Sequence, residues 1–227
     1  MLSRQFLVDR GYCCGYGCLM CPYIPKHIKG NTNMKKHKVL IVSALEVETQ
    51  GQLNTYDTLY TGVGKVNATY KLTQFIESWG TEFPYDVVIN YGTAGSRKIK
   101  KKTLVDCTKF VQRDMDVTGL GFMRGETPFE KEPPLMLETK SDFNPIGRHA
   151  TCGSGDCFVE DKSQYYGEVV DMEAYALAKV CYHYDIPFIS FKYITDGADE
   201  QAHEDWEKNL ADGIQEFQEK ILSQITT

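Results

Sequence analysis

The sequence predicts an α/β protein: a three-layer α/β/α sandwich with a central mixed sheet, plus a small cysteine-rich appendage at the N-terminus. Three observations carry that expectation. From His37 onward, short apolar runs of strand length alternate with stretches of helical spacing. The apolar runs end in glycines, small residues and acids at strand–loop or strand–helix junctions, where sites in such folds collect. Residues 1–36 break the pattern, with two prolines, several glycines, a polar Lys29-Gly30-Asn31-Thr32-Asn33 stretch and four of the eight cysteines. The chain is therefore divided at 36: an appendage and linker over 1–36, and a compact domain over 37–227.

Each element has its own justification. Lys38-Val39-Leu40-Ile41-Val42-Ser43 suits a strand buried on both faces. It runs into Ala44-Leu45-Glu46-Val47-Glu48, where Glu46 and Glu48 share a side if the strand continues and separate if a helix begins. Acids at a helix start are also favoured by the helix dipole alone. Thr61-Gly62-Val63-Gly64-Lys65 follows a short strand and opens a helix from Val66 to Ser78. Its glycines would let a ligand approach the backbone, and a tight turn would need the same residues. Asp86 to Tyr91 is a second buried strand, ending in Gly92-Thr93-Ala94-Gly95-Ser96, and Leu104 to Val111 a third. Glu168 to Asp171 is a short strand leading into a helix from Met172 to Tyr184. Pro187 to Thr195 is a strand, and Glu204 to Ile225 reads as one long amphipathic helix.

Bulk properties exclude some functions. The 227 residues carry a net charge of −6, which opposes nucleic acid as the main partner because phosphate backbones attract a basic face. The basic run Lys98 to Lys102 reads as a solvated turn. No run of apolar residues is long enough to span a membrane, and the N-terminus lacks the apolar core of a secretory signal, so a cytoplasmic location is expected. In that setting the scattered Cys107, Cys152, Cys157 and Cys181 read as small buried thiols.

Three carboxylates at the strand ends suggest chemistry. Glycosidic cleavage passes through a cationic sugar that carboxylates stabilise, and protonating the leaving base lowers the barrier. Asp196 ends the apolar run of Ile189 to Ile194, at a partly desolvated mouth that would raise its pKa and suit a proton donor. In Val170-Asp171-Met172-Glu173-Ala174 a carboxylate could accept two hydroxyl hydrogen bonds, as a sugar diol offers. Surface acids and local turn bonding are the plainer readings of the same residues.

Taken together, six blocks resemble the nucleoside phosphorylase/nucleosidase superfamily, and most closely the 5′-methylthioadenosine/S-adenosylhomocysteine (MTA/SAH) nucleosidases. They are Ser43 to Glu48, Thr61 to Ala68, Asn90 to Gly95, Ser154-Gly155-Asp156-Cys157-Phe158, Val170 to Ala174, and Ile194 to Asp199. The resemblance implies a nucleoside phosphorylase-like fold and hydrolysis of a purine (adenine) nucleoside in methionine salvage, with no cofactor for catalysis and a homodimeric assembly. It implies that Glu48 activates water and Asp196 protonates or hydrogen-bonds N7 of the purine. Glu173 would hold the ribose hydroxyls, Met172 would lie beneath the sugar, Phe158 would stack on the base and the Phe158–Val159 backbone would read its edge. Thr61 and Thr195 would be supporting polar contacts, and Leu45 and Trp206 would line the end that takes the 5′ substituent. Two departures from the family pattern stand out. The Thr49–Tyr60 segment is too short for the helix and hairpin found there in relatives, so the helix carrying Glu48 must be very short. Lys192 stands where the family commonly has arginine, which keeps the charge but not the fork.

Two other activities remain open on the sequence. Phosphorylases of this superfamily need an anion cradle, and an acid beside bound phosphate would repel it. Here the first strand ends on Glu46 and Glu48, although Arg113, Arg124 and Arg148 remain as spare cations. A non-catalytic nucleoside binder is the third reading. Separately, the segment containing Cys13, Cys14, Cys18 and Cys21 resembles a small cysteine-rich module. Four thiolates could ligate one Zn²⁺ or an iron–sulfur cluster, and a reduced, unliganded thiol cluster is the alternative.

Overall fold

The structure is a computed structural model that describes residues 6–7, 10–18, 21, 23, 26–32, 37–130, 135–139 and 141–225. Pro22 of the cysteine motif and the linker end expected over 33–36 lie outside the described residues.

From residue 37 the chain folds around an eight-stranded mixed sheet. Its strands are β1 (Val39–Ser43), β2 (Thr58–Tyr60), β3 (Val87–Gly95), β4 (Leu104–Gln112), β5 (Leu137–Glu138), β6 (Ala150–Ser154), β7 (Val169–Asp171) and β8 (Phe188–Asp196). The helices are α1 (Glu46–Thr49), α2 (Lys65–Ser78), α3 (Ala174–His183), α4 (Ala202–Asn209) and α5 (Gly213–Lys220). β1, β3 and β8 run parallel side by side, and β4 joins β8 antiparallel. β4, β6 and β7 are parallel in turn, and β7 returns to the end of β3 antiparallel through Gly95 and Val170. The ladder β3–β8–β4–β6–β7 thus closes on itself, bringing the C-terminal ends of β3, β7 and β8 together.

Residue alternation in the central strands builds the layers. Leu40, Val42, Val88 and Phe188 face a core shared with Ala68, Leu72 and Ile76 of α2 and Leu177 and Cys181 of α3. Val39, Ile41, Val87, Ile89, Tyr91, Ile189 and Phe191 face a second core, closed by Ile214, Phe217, Ile221 and Leu222. Both faces of these strands are buried, which explains why they read as continuous apolar runs.

One expected element is corrected. The long helix expected over Glu204–Ile225 is two helices, α4 and α5, followed by a 3₁₀ turn at Leu222–Gln224. Its two halves serve different surroundings. Trp206 of α4 lines a cleft and Asn209 donates from Nδ2 to the Thr195 carbonyl at 2.8 Å, whereas Ile214 and Phe217 of α5 fill the second core. A straight helix cannot point both stripes correctly. At the break, Gly213 packs so closely that a Cβ there would stand 2.4 Å from Tyr193 Cγ. The basic run is a turn, as expected; Lys101 pairs with Asp205 and Lys102 with Asp212. Among the described residues no helix is long and apolar enough to cross a membrane.

Candidate active site

The strand ends surround a cavity of about 260 Å³ lined by Glu48, Glu173 and Asp196 together with Leu45, Phe158, Val159, Met172 and Trp206. These are eight of the ten cleft residues expected from the sequence. Thr61 and Thr195 lie behind the wall. The Thr61 hydroxyl is 2.9 Å from the Gly62 carbonyl, and that of Thr195 donates to Asp196 Oδ2 at 2.9 Å.

Glu48 owes its position to the brevity of α1. A helix does begin at Glu46, so the two acids separate: Glu46 is exposed and Glu48 buried. From the third helical position the Glu48 carboxylate turns back toward the strand that precedes it. Oε2 accepts from the Leu45 N–H at 3.2 Å and the Ser43 hydroxyl at 3.3 Å. Oε1 accepts from the Thr93 N–H at 2.9 Å and its hydroxyl at 2.8 Å. Trp206 Nε1 donates to the same Thr93 hydroxyl at 2.9 Å, tying α4 to this acid through β3. Gly92 leaves the space between acid and cation open: a Cβ there would lie 3.2 Å from Lys192 Nζ and 3.4 Å from Glu48 Oε1.

Asp196, at the end of β8, is 4% exposed. Burial raises its pKa above the ordinary carboxyl value, and the Ala198 N–H at 2.9 Å and the Thr195 hydroxyl offset only part of this. The desolvated mouth expected from the apolar strand is therefore present. Gly95 makes room for it, since a Cβ at that position would stand 2.4 Å from Asp196 Oδ1.

Glu173 is not a surface acid. It stands at the N-cap position of α3 without a side-chain capping bond, is 8% exposed, and accepts the Gly64 N–H on Oε1 at 2.8 Å. The N–H of Lys65 is likewise engaged, by Asp156 Oδ1 at 2.8 Å. The glycine loop thus offers these two donors to protein carboxylates, as its tight-turn reading expects, while its Val63 lines the cavity. Burial first, then the charge of Asp171, lifts the Glu173 pKa to about 8. A carboxyl whose folded pKa lies above its unfolded value contributes stability that is complete below the unfolded pKa and is lost as pH rises through the folded one. The denaturant midpoint of the protein should therefore fall between about pH 5 and about pH 8, and Glu173→Gln should flatten that slope, as urea titrations at several pH values would record.

The cleft wall carries a buried ion pair through Asp171. Lys192 Nζ is 2.9 Å from Asp171 Oδ2, with both side chains almost fully enclosed. Asp171 also accepts the Ala174 N–H at 2.9 Å and the Ser154 hydroxyl. Burial opposes both charges, and each partner more than reverses it: Asp171 is held below and Lys192 above its ordinary pKa. Asp171 is thus a support of the site rather than a second sugar ligand. Lys192→Met should destabilise the fold by about 3–5 kcal/mol because it strands a buried carboxylate. Adding Asp171→Asn should recover part of that loss in a chemical denaturation series.

Thr93, Arg113 and His203 also line the cavity. On the sequence Thr93 belongs to a resembling block and Arg113 is a spare cation, but none of the three is assigned to the cleft. Arg113 is 2% exposed, and its guanidinium holds the Gly155 carbonyl at 3.1 Å, the Cys157 carbonyl and the Cys157 Sγ at 3.2 Å, fixing the segment before Phe158. His203 meets Phe158 edge-on at 6.1 Å. A signal for Thr93 exists in the small-residue strand end; Arg113 and His203 come from a loop and a helix remote in sequence.

The four N-terminal cysteines stand apart around a small cavity of their own. They are arranged as two pairs, Cys13 with Cys21 at 3.6 Å and Cys14 with Cys18 at 3.4 Å between sulfurs. Among the described residues, no group of three or more histidine, cysteine or acidic side chains is placed to hold a metal ion.

Comparison with known proteins places this geometry in a family. The phosphorylase superfamily model matches residues 48–226. A 5′-methylthioadenosine/S-adenosylhomocysteine nucleosidase of Actinobacillus succinogenes is 29% identical over 212 residues, covering 86% of this chain and 90% of that protein. One from Baumannia cicadellinicola is 30% identical over 167 residues, 66% of this chain and 71% of its own. In fold, the chain is similar to a Helicobacter pylori MTAN mutant solved with 5′-methylthioadenosine in the active site, with a TM-score of 0.73 at 22% identity, over 85% of this chain and 99% of that one. The chain belongs to the phosphorylase superfamily.

Proposed function

We propose that this protein hydrolyses the N-glycosidic bond of an adenine nucleoside such as 5′-methylthioadenosine or S-adenosylhomocysteine, releasing free adenine. The observation that carries the reading is the convergence of Glu48, Glu173 and Asp196 on one largely apolar cavity, each held by hydrogen bonds from the scaffold.

The roles follow from the environments. Asp196, its pKa raised by burial, is the acid that delivers a proton to N7, so the base departs neutral. Glu48 takes a proton from the attacking water, with both oxygens oriented by Ser43, Leu45 and Thr93. Glu173 binds the ribose hydroxyls, and a carboxyl with a pKa of about 8 can donate as well as accept toward a diol. Met172 supports the sugar, Phe158 stacks on the base and the Phe158–Val159 backbone reads its edge. Leu45 and Trp206 form the 5′ end. Thr195 steadies Asp196, and Thr61 braces the turn after β2.

Water is favoured over phosphate as nucleophile by the disposition of cations. Lys192 is neutralised by Asp171, and one terminal nitrogen of Arg113 holds the Gly155 and Cys157 carbonyls while the other holds the Cys157 Sγ. Arg124 bonds the Arg113 and Ser163 carbonyls, and Arg148 pairs with Glu168. Phosphate beside Glu48 would meet an acid, and of these four cations Lys192 and Arg148 are already paired with carboxylates. The test is chromatography of adenine released from 5′-methylthioadenosine in phosphate-free buffer. Adenine should appear together with the free reducing sugar, at a rate that added phosphate does not change. A strict phosphate requirement would make the protein a phosphorylase, and no release from any purine nucleoside would leave a binder.

The reading extends to a cytoplasmic homodimer. Leu120, Met123 and Phe129 are 75%, 60% and 92% exposed in the single chain, apolar surface that a second copy would cover. Light scattering should give about twice the 25.8 kDa chain mass.

A further inference from the structure

The proposed hydrolysis makes no use of the thiols in the N-terminal appendage. We propose that Cys14 and Cys18 form a reversible dithiol–disulfide site that is oxidised by hydroperoxides.

Geometry is the first argument. The Cys14 and Cys18 sulfurs lie 3.4 Å apart. A disulfide needs about 2.05 Å, so closure requires an approach of only about 1.4 Å. The chain doubles back between them because Gly15 and Gly17 both adopt left-handed backbone, at φ +80° and +68°. Bonds that do not involve thiols hold this turn. Cys13 N–H donates to the Asn31 carbonyl at 2.8 Å, Gly30 N–H returns to the Cys13 carbonyl at 2.8 Å, and Cys21 N–H donates to the Cys18 carbonyl at 3.1 Å.

Access and charge distinguish this pair from its neighbour. Cys14 and Cys18 are partly exposed, whereas Cys13 and Cys21 are 3% and 9% exposed beneath them. The Tyr16 backbone amide, the Cys18 thiol and the Arg10 guanidinium hold the Cys14 thiol below its ordinary pKa. The bond to Cys14, with burial, holds Cys18 above its own. An accessible thiolate beside a thiol that can resolve it is the arrangement that favours oxidation. Among the described residues no group of three or more histidine, cysteine or acidic side chains is placed to hold a metal ion in place of a disulfide.

The chemistry balances. The Cys14 thiolate attacks the distal oxygen of a hydroperoxide. The O–O bond breaks, Cys14 becomes a sulfenic acid, and the alkoxide or hydroxide leaves and takes up a proton from solvent. Cys18 sulfur then attacks the Cys14 sulfur, the S–O bond breaks, and the Cys18 proton departs with the hydroxyl as water. Two electrons pass from the sulfur pair to the peroxide, and an external dithiol restores both thiols.

The full chain, reduced and freed of reductant, would be treated with hydrogen peroxide, blocked with N-ethylmaleimide and mapped by tandem mass spectrometry. Metal content of the untreated protein would be measured in parallel. The expected result is a Cys14–Cys18 link, two hydrogens lighter than the dithiol, protected from the maleimide and released by dithiothreitol. The same link should form in Cys13→Ser/Cys21→Ser. In Cys18→Ser, Cys14 should stop at a sulfenic acid that dimedone traps. Full alkylation of Cys14 and Cys18 after peroxide, or a link that instead joins Cys13 to Cys21, would overturn the proposal. So would stoichiometric zinc or iron in the purified chain that must be lost before any thiol reacts.

Discussion

Asp196→Asn is expected to lower kcat by roughly 10²–10⁴-fold while leaving the fold and KM nearly unchanged. The substitution is close to isosteric. The asparagine carbonyl can still accept the Ala198 N–H, and the Thr195 hydroxyl can rotate to accept from the new amide. The variant can thus still donate a hydrogen bond to a purine nitrogen, but it has no proton to transfer. The pH profile separates these contributions. Wild-type kcat should fall on the alkaline side as Asp196 ionises, because burial places that ionisation above the ordinary carboxyl range. The variant should lack that limb and run flat at its low rate. Wild-type turnover in the Asp196→Asn enzyme would remove Asp196 as the acid.

Glu48→Gln should have a loss of similar size, about 10²–10⁴-fold in kcat, for the opposite reason. The amide cannot take a proton from water. Its carbonyl can retain the two bonds from Thr93, while the new NH₂ faces the Leu45 N–H, a donor left without its acceptor. That mismatch should cost about 1–3 kcal/mol of stability, visible as a lowered denaturation midpoint. Substrate should still bind, since the base stack at Phe158 and the ribose contact at Glu173 are elsewhere in the cleft. Calorimetry with 5′-methylthioadenosine should therefore report affinity within a few-fold of wild type alongside the lost turnover. Loss of binding with retained turnover per bound substrate would assign Glu48 to recognition instead.

Much of the fold is legible because its strands are buried on both faces. Runs such as Val39 to Ser43 and Phe188 to Asp196 have no solvated side to dilute the apolar signal. β3 runs on through Gly92-Thr93-Ala94-Gly95 to meet β7, although its small residues read as a strand end; only pairing with β8 and β7 holds them extended. The segment after Glu204 reads as a single helix because local periodicity records that each half is amphipathic, not that the halves face different surroundings. Arg113 and His203 escape a local reading because their roles depend on contacts with the Gly155–Phe158 segment, far along the chain.

Three things are written locally in the chain: the alternation of elements, the acids at the strand ends and the family, because strand burial and residue chemistry leave their mark on neighbouring positions. The division of labour among the acids is not local, and it emerges only on folding. Asp171 and Glu173 are two residues apart and both border the cavity, yet one is ion-paired with Lys192 and has its pKa held down, and the other has its pKa raised to about 8. That difference comes from Lys192 reaching Asp171 and from the desolvation of Glu173. Charge and solvent at a carboxylate depend on what surrounds it in space, and the chain assembles those surroundings only when β3, β7 and β8 come together.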